Sequence, residues 1–316
     1  MKKISLLAIC FSVLSLYSFA QNKSFSILPL GVYGGSDEGN LSAYLLAPEG
    51  SRDYISLDAG TIYNGLKALR SKGFIKANSN DFFKNNIKAY LISHGHLDHC
   101  GGLIINSPND TAKNIYALPF CINVLKTKYF TWTSWANFAN EGESPLLKKY
   151  TYNYLDTARE TKIENTNMYV KPFLLSHSVP GESTAFLVRN NDNYFLYFGD
   201  TGDDSIERSN YMKIVWNAAA PMVSSHKLKG ISIECSYPDK QKDKQLFGHL
   251  KPKLLFKNLH YLENIAGKNS LKNLPVIVAH IKPDEDNEKI IHEELLKEND
   301  LHVKLIFPVQ GEKIDL

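Results

Sequence analysis

Short apolar runs recur along the chain, and most of them end in glycine, aspartate or histidine rather than in a long polar tract. Residues 26–33 and 42–47 alternate or run apolar on either side of Gly34-Gly35-Ser36-Asp37-Glu38-Gly39-Asn40, which predicts a hairpin opening a sheet. Residues 54–60 read as a further strand ending in a turn before a helical stretch at 62–71. Residues 87–92 form a buried-strand pattern that runs into His94-Gly95-His96-Leu97-Asp98-His99. The segment after it, Gly101-Gly102-Leu103-Ile104-Ile105, suits a turn entering a short helix. Past Tyr116 the pattern is harder to read. Strands are predicted at 168–175 and 183–188 around His177-Ser178-Val179-Pro180-Gly181, and at 194–198 before Gly199-Asp200-Thr201-Gly202. They recur at 231–234 and at 275–279 before His280-Ile281-Lys282-Pro283, with a helix at 253–264 after Gly248-His249-Leu250. Strands and helices follow one another without repeats, low-complexity tracts or an evident linker, so residues 21–316 are expected to form one mixed α/β domain.

Residues 1–20 carry the three parts of a secretory signal: Lys2 and Lys3, an apolar stretch at 6–16, and Ser18-Phe19-Ala20. Cleavage before Gln21 is expected, giving a periplasmic or secreted protein. The apolar stretch is too short for a comfortable membrane span, so no stable membrane association is expected. The formal charge of +3 falls to +1 when Lys2 and Lys3 leave with a segment that holds no acidic residue. That balance offers no electrostatic case for nucleic-acid binding. Cys100, Cys121 and Cys235 remain, an odd and sparse set that is no disulfide framework, although one pair stays open.

The chemistry concentrates at His94, His96, Asp98 and His99. Imidazoles and carboxylates crowded after a buried strand cost desolvation energy unless an ion or a hydrogen-bond network compensates them, so this segment is a candidate metal site. Because residues two apart share a face of a strand and His99 breaks that phase, a loop at the strand's end accommodates the four better than a strand or helix. His177, Asp200 and His280 each follow a strand-like run, where a sheet fixes a side chain and a loop leaves it accessible. Singly they are weak evidence, since a lone histidine after a strand is more often structural and Asp-Thr-Gly is commonly a turn. Together, seven candidates suit two ions about 3.5 to 4 Å apart. His94, His96 and His177 would hold one, Asp98, His99 and His280 the other, and Asp200 would bridge.

With these residues in hand, the chain resembles the metallo-β-lactamase superfamily. The run from His94 through Asn106-Ser107-Pro108 is similar, more narrowly, to the signature of class II cyclic-nucleotide phosphodiesterases, except that Cys100 stands where an aliphatic residue is usual. The resemblance continues through Glu38-Gly39-Asn40-Leu41-Ser42-Ala43, Phe198-Gly199-Asp200-Thr201-Gly202, Ile233-Glu234-Cys235-Ser236-Tyr237, Leu246-Phe247-Gly248-His249-Leu250 and Ala279-His280-Ile281-Lys282-Pro283. It implies a four-layer αββα sandwich, two divalent ions (zinc first, with manganese or iron as alternatives) and hydrolysis of the 3′ ester of a cyclic 3′,5′-nucleotide. Cyclic AMP is the first substrate expected, cyclic GMP the second, and an oligomer is possible. Asp98 then belongs to the catalytic set as well as to the ligands. His249 is the expected proton donor to the leaving oxygen, with Glu234 orienting it as in the related tRNA 3′-processing nucleases; the structural alternative is a helix cap and an ion pair.

Asp58 is expected to orient a ligand histidine through its second nitrogen. Phe130, Trp132, Trp135 and Phe138 could stack on a purine, but their helical spacing suits core packing equally well. His226, His260, His292 and His302 lack convergent partners and are assigned structural roles. Competing functions are another phosphoesterase or RNA-processing nuclease of the same fold, lactam or lactone hydrolysis, and a non-catalytic nucleotide-binding protein.

Overall fold

Alternation of side chains divides each central strand between two cores. In β2 (Ala43–Pro48), Tyr44 and Leu46 point to one side while Ala43, Leu45 and Ala47 point to the other, and both sides are buried. The computed structural model describes residues 23–284 and 286–316. The segment read as an export leader lies outside them. β1 (Phe25–Gly31), β2, β3 (Tyr54–Leu57), β4 (Ile87–Leu91), β5 (Lys113–Ala117) and β6 (Tyr150–Tyr154) lie side by side, antiparallel across the first hairpin and parallel from β3 onward. The second sheet follows with β7 (Thr161–Lys162), β8 (Tyr169–Ser176), β9 (Glu182–Asn190), β10 (Asn193–Phe198), β11 (Leu228–Glu234), β12 (Pro275–Ala279) and β13 (Lys304–Ile306) in consecutive order. β14 (Ile314–Asp315) then returns to pair with β1 and completes a seven-stranded first sheet.

Three cores stack between the layers. Ile55, Leu57, Ala89 and Leu91 of the first sheet meet Phe186, Val188, Phe195, Tyr197 and Ile277 of the second. The outer face of the first sheet is covered by α1 (Tyr63–Ser71), α2 (Ser79–Asn86), α3 (Leu97–Asn106) and α4 (Pro119–Val124), which bring Leu66, Phe83, Leu103 and Ile122 to it. Beyond the short α5 (Asp204–Glu207), α6 (Tyr211–Ser224), α7 (Pro252–Ala266) and α8 (Asn287–Glu298) cover the second sheet with Trp216, Phe256, Leu259 and Leu295. Each such side chain contributes about 1.5 to 3 kcal/mol by leaving water. The one polar atom on Trp216 is not stranded, because its Nε1 donates to Asn258 Oδ1 at 3.1 Å. The result is the expected αββα sandwich.

Two local expectations fail for identifiable reasons. Leu97, Asp98 and His99 form the first turn of α3 instead of a loop, with His96 in extended conformation as its cap residue. Gly101 and Gly102 therefore lie inside the helix and do not form a turn before it. A Cβ on Gly102 would come within 2.7 Å of Ala59 O, so the glycine serves close approach of the helix to the 59–60 segment. The aromatic segment is not helical either. Phe130 is fully buried and Trp135 and Phe138 pack on the outer core of the first sheet, whereas Trp132 is 40% exposed and donates Nε1 to Pro145 O at 2.8 Å.

Candidate metal centre

Every ligand candidate, and Glu234, lies at the carboxyl end of a strand or beyond it, whereas His249 sits in the loop before α7. His94 and His96 follow β4 and lead into α3, which carries Asp98 and His99 in its first turn; that turn is tied down by Ala59 N donating to His99 O at 2.7 Å. His177 follows β8, Asp200 follows β10, Glu234 ends β11 and His280 follows β12. These strand ends face one another, and the seven residues converge. Ligand atoms of His94, His96, His177 and Asp200 lie within 4.8 Å of one another, as do those of Asp98, His99, Asp200 and His280. Asp200 is common to both groups. Its Oδ2 is 3.7 Å from His177 Nε2, 3.8 Å from His94 Nε2 and 3.2 Å from His280 Nε2, while its Oδ1 is 3.2 Å from His99 Nε2.

The far side of the imidazoles is already engaged. His99 Nδ1 meets Asp58 Oδ2 at 2.8 Å, and Asp58 in turn accepts from Ser93 N, Ser93 Oγ and Tyr197 Oη. His177 Nδ1 donates to Gly248 O at 2.9 Å, while His280 Nδ1 and His94 Nδ1 each lie 3.0 Å from the hydroxyls of Ser236 and Ser93. Outer contacts of this kind fix tautomer and ring orientation and leave Nε2 turned inward. Within the cluster, Nε2 of His94 and of His99 are buried and have no hydrogen-bond partner among the described residues. His99 Nε2 comes to 3.2 Å of Asp200 Oδ1 without the geometry of a hydrogen bond. Buried polar nitrogens left unpaired are costly, and a set of imidazole and carboxylate donors aimed at a common volume fits divalent cations.

Matching of the chain to family models decides its kinship: residues 21–311 match the model of the cAMP phosphodiesterases class-II. The chain belongs to this family. A 3′,5′-cyclic-nucleotide phosphodiesterase of Aliivibrio fischeri is 43% identical over 324 residues, covering 98% of each chain. Among solved structures, unliganded yeast PDE1 superposes with a TM-score of 0.82 at 25% identity, covering 93% of this chain and 100% of its own. The metallo-β-lactamase fold protein YhfI of Bacillus subtilis shares the fold at a TM-score of 0.59 and 15% identity, covering 92% of this chain and 99% of its own. Membership makes the chain a phosphodiesterase, a hydrolase with the metallo-β-lactamase fold.

In this class-II phosphodiesterase a third group adjoins the two ligand sets. His249 Nδ1 lies 2.8 Å from Glu234 Oε1 and 3.9 Å from Asp200 Oδ2, and its ring stacks on His280 with centroids 5.2 Å apart. Glu234 is fixed from three sides, by Thr201 N at 2.9 Å, Leu250 N at 3.2 Å and Ser236 Oγ at 2.6 Å. The left-handed turn at Phe247 and Gly248 lets the chain pass close to the His177 segment; a Cβ on Gly248 would fall 2.1 Å from Ser178 N. Burial pushes the His249 imidazole down, but the Glu234 carboxylate outweighs it and holds the group above the ordinary histidine range. Burial would likewise raise Asp98 and Asp200, yet the facing imidazoles hold both carboxyls well below the usual carboxylate range. His94 is pushed well down by burial and by the neighbouring His99.

Ser236 lies within the 233–237 motif, which by itself assigns it no role. Its hydroxyl touches Glu234, His249 and His280 at 2.6, 3.3 and 3.0 Å and so joins the acid pair to a metal-ligand candidate. Its place two residues after Glu234 was the available signal. His260 pairs with Asp300 at 3.0 Å, and His292 packs on the Phe307 ring, both away from the centre.

Proposed function

We propose that the protein hydrolyses 3′,5′-cyclic nucleotides, cyclic AMP foremost and cyclic GMP as well, at the 3′ ester to release nucleoside 5′-monophosphates, using two divalent ions. The observation that carries this reading is the sharing of Asp200 by two four-member ligand groups beside the Glu234–His249 pair. His94, His96 and His177 would hold one ion, Asp98, His99 and His280 the other, with Asp200 between them. When bound, the ions supply positive charge for the phosphoryl oxygens and make a water-derived nucleophile available near neutral pH. Imidazole and carboxylate donors suit zinc, and also manganese or iron.

The chain's own groups do the remaining work. Glu234 occupies His249 Nδ1 and leaves Nε2 to carry the proton that the departing 3′ oxygen requires. Three donors fix Glu234, so the imidazole keeps its orientation as substrate enters. Asp58, held by Ser93 and Tyr197, sets the tautomer of His99. The leader-like residues 1–20 support export to the periplasm or beyond, with the mature chain starting at Gln21.

Purified protein incubated with cyclic AMP, cyclic GMP, bis-p-nitrophenyl phosphate and a β-lactam, with and without chelator, tests the reading. Chelator-sensitive release of 5′-monophosphate is expected, together with about two ions per chain by elemental analysis. Turnover that survives complete metal removal rejects it. N-terminal sequencing of protein recovered outside the cytoplasm checks the leader.

A further inference from the structure

Acidic charge dominates the centre. Asp58, Asp98, Asp200 and Glu234 all approach its histidines, at 2.8, 3.3, 3.2 and 2.8 Å respectively. Four carboxylates offset the charge of two divalent ions, so apart from the proton that His249 carries for the leaving oxygen no net positive charge is left for the phosphodiester anion. The anion gains charge density as the leaving oxygen departs, and a further cation near the reacting group is therefore worth most in that state.

Lys282 is the Lys or Arg side chain that reaches the ligand cluster among the described residues. Its Nζ lies 4.0 Å from Asp98 Oδ2, no carboxylate among those residues comes closer, and the side chain stays about a quarter exposed at 24%. Local structure places it there. Ile281 is buried and bridges to Tyr33, while Lys282 N donates to Ser236 O at 3.2 Å, so the backbone on either side of the lysine is fixed. The Gly34-Gly35 turn lies opposite. A Cβ on Gly34 would strike the His280 ring at 2.2 Å, one on Gly35 would come to 3.6 Å from Lys282 Nζ, and Gly35 N donates to Asp98 Oδ2 at 3.0 Å.

Asp98 Oδ2 thus already has the Gly35 amide and His280 Nε2 at 3.3 Å, and an ammonium 4.0 Å away is too far to be its hydrogen-bond partner. Among the described residues no acceptor takes up the donors of this ammonium, which sits beside the ligands where an incoming anion would meet it. We propose that Lys282 Nζ binds a non-bridging phosphoryl oxygen of the cyclic phosphodiester and holds it while the 3′ ester opens. This rests on the two-ion reading above. Lys282 is then a substrate-contacting residue that sequence reasoning passed over, although it stands two positions after His280.

The test compares wild type, Lys282→Met and Lys282→Arg in the metal-loaded full protein. Three readouts are taken: ion content, kcat and KM for cyclic AMP, and affinity for inorganic phosphate by calorimetry. Lys282→Met is expected to keep wild-type ion content, lose about 100-fold in kcat/KM, the scale of one removed oxyanion donor, and bind phosphate at least about tenfold more weakly. Lys282→Arg should recover to within about tenfold, because the cation is retained. Loss of an ion in Lys282→Met would assign the lysine to holding Asp98 and overturn the proposal. A kcat/KM and phosphate affinity within about threefold of wild type would overturn it as well. Calorimetry does not depend on turnover, so a wild type that fails on every cyclic nucleotide defeats the functional reading and leaves the phosphate comparison to decide this one.

Discussion

Two of the buried polar clusters on this fold differ in one respect that separates structure from chemistry. Under the first sheet, Asp110 accepts from Tyr90 Oη at 2.6 Å, Tyr150 Oη at 2.8 Å and Thr111 N at 2.7 Å, and it pairs with Lys113, whose ammonium also donates to Phe83 O and Thr111 Oγ1. Each of these polar groups has a partner within the chain. At the strand ends five of the seven residues are buried as deeply, with Asp98 half-buried and His96 exposed, yet the cluster leaves Nε2 of His94 and His99 unpaired and turns its carboxylates toward one shared volume. The first cluster is complete as folded. The second is complete only with cations in it, and that incompleteness is the physical mark of a functional site.

The largest effect should come from the residue that both ligand groups share. Asp200→Asn removes a charge and an oxygen donor without changing size, and kcat/KM for cyclic AMP is expected to fall by about 10⁴-fold or more, with ion content dropping below the wild-type value. Retention of both ions and activity would erase the contrast between the clusters. The corresponding change in the other cluster should do the opposite. Asp110→Ala strands the Lys113 ammonium, 2% exposed, and is expected to cost about 3 to 5 kcal/mol of unfolding free energy by denaturant titration, while the folded fraction keeps its ion content and kcat.

A smaller effect sharpens the boundary within the functional cluster. His249→Ala removes the group assigned to proton delivery and leaves the two four-member ligand groups intact. Expected is a fall of about 10² to 10³-fold in kcat at unchanged ion content. Loss of metal in this variant would make His249 a ligand, which its place with Glu234 and His280 in a third cluster permits geometrically.

The density of ligands in His94 to His99 is local, so it is legible without the fold. His177, Asp200 and His280 are legible because each follows a strand pattern. The meaning of Ser236 and Lys282 depends on which loops face each other, and no window of sequence contains that. Glycine misled at α3, because Gly101 and Gly102 resemble a turn when their purpose is close approach to residues 59–60. In α6, Met212, Val215, Trp216, Ala219, Ala220 and Val223 follow a helical period, but Pro221 within the run hides it; in α8 only Ile291 and Leu295 are fully buried, too weak a stripe to stand out. β13 and β14 span three and two residues, and pairing with neighbours defines them more than pattern does.

The smallest predicted effect probes whether the Asp110 cluster is as self-sufficient as its contacts imply. Tyr150→Phe deletes one of two phenol donors to the same carboxylate oxygen and leaves the ring, which packs edge-on against Tyr90 at 6.0 Å. Since Tyr90 Oη still donates to Asp110 Oδ2, the carboxylate is not stranded, and the cost should be that of a single hydrogen bond, about 1 kcal/mol. Removing both hydroxyls in Tyr90→Phe/Tyr150→Phe should cost more than twice the single change, because the second deletion leaves a buried oxygen without a donor. Simple additivity, measured by denaturant midpoints at constant slope, would mean that the oxygen finds water or a relaxed partner, and the cluster would then be less closed than the metal centre is open.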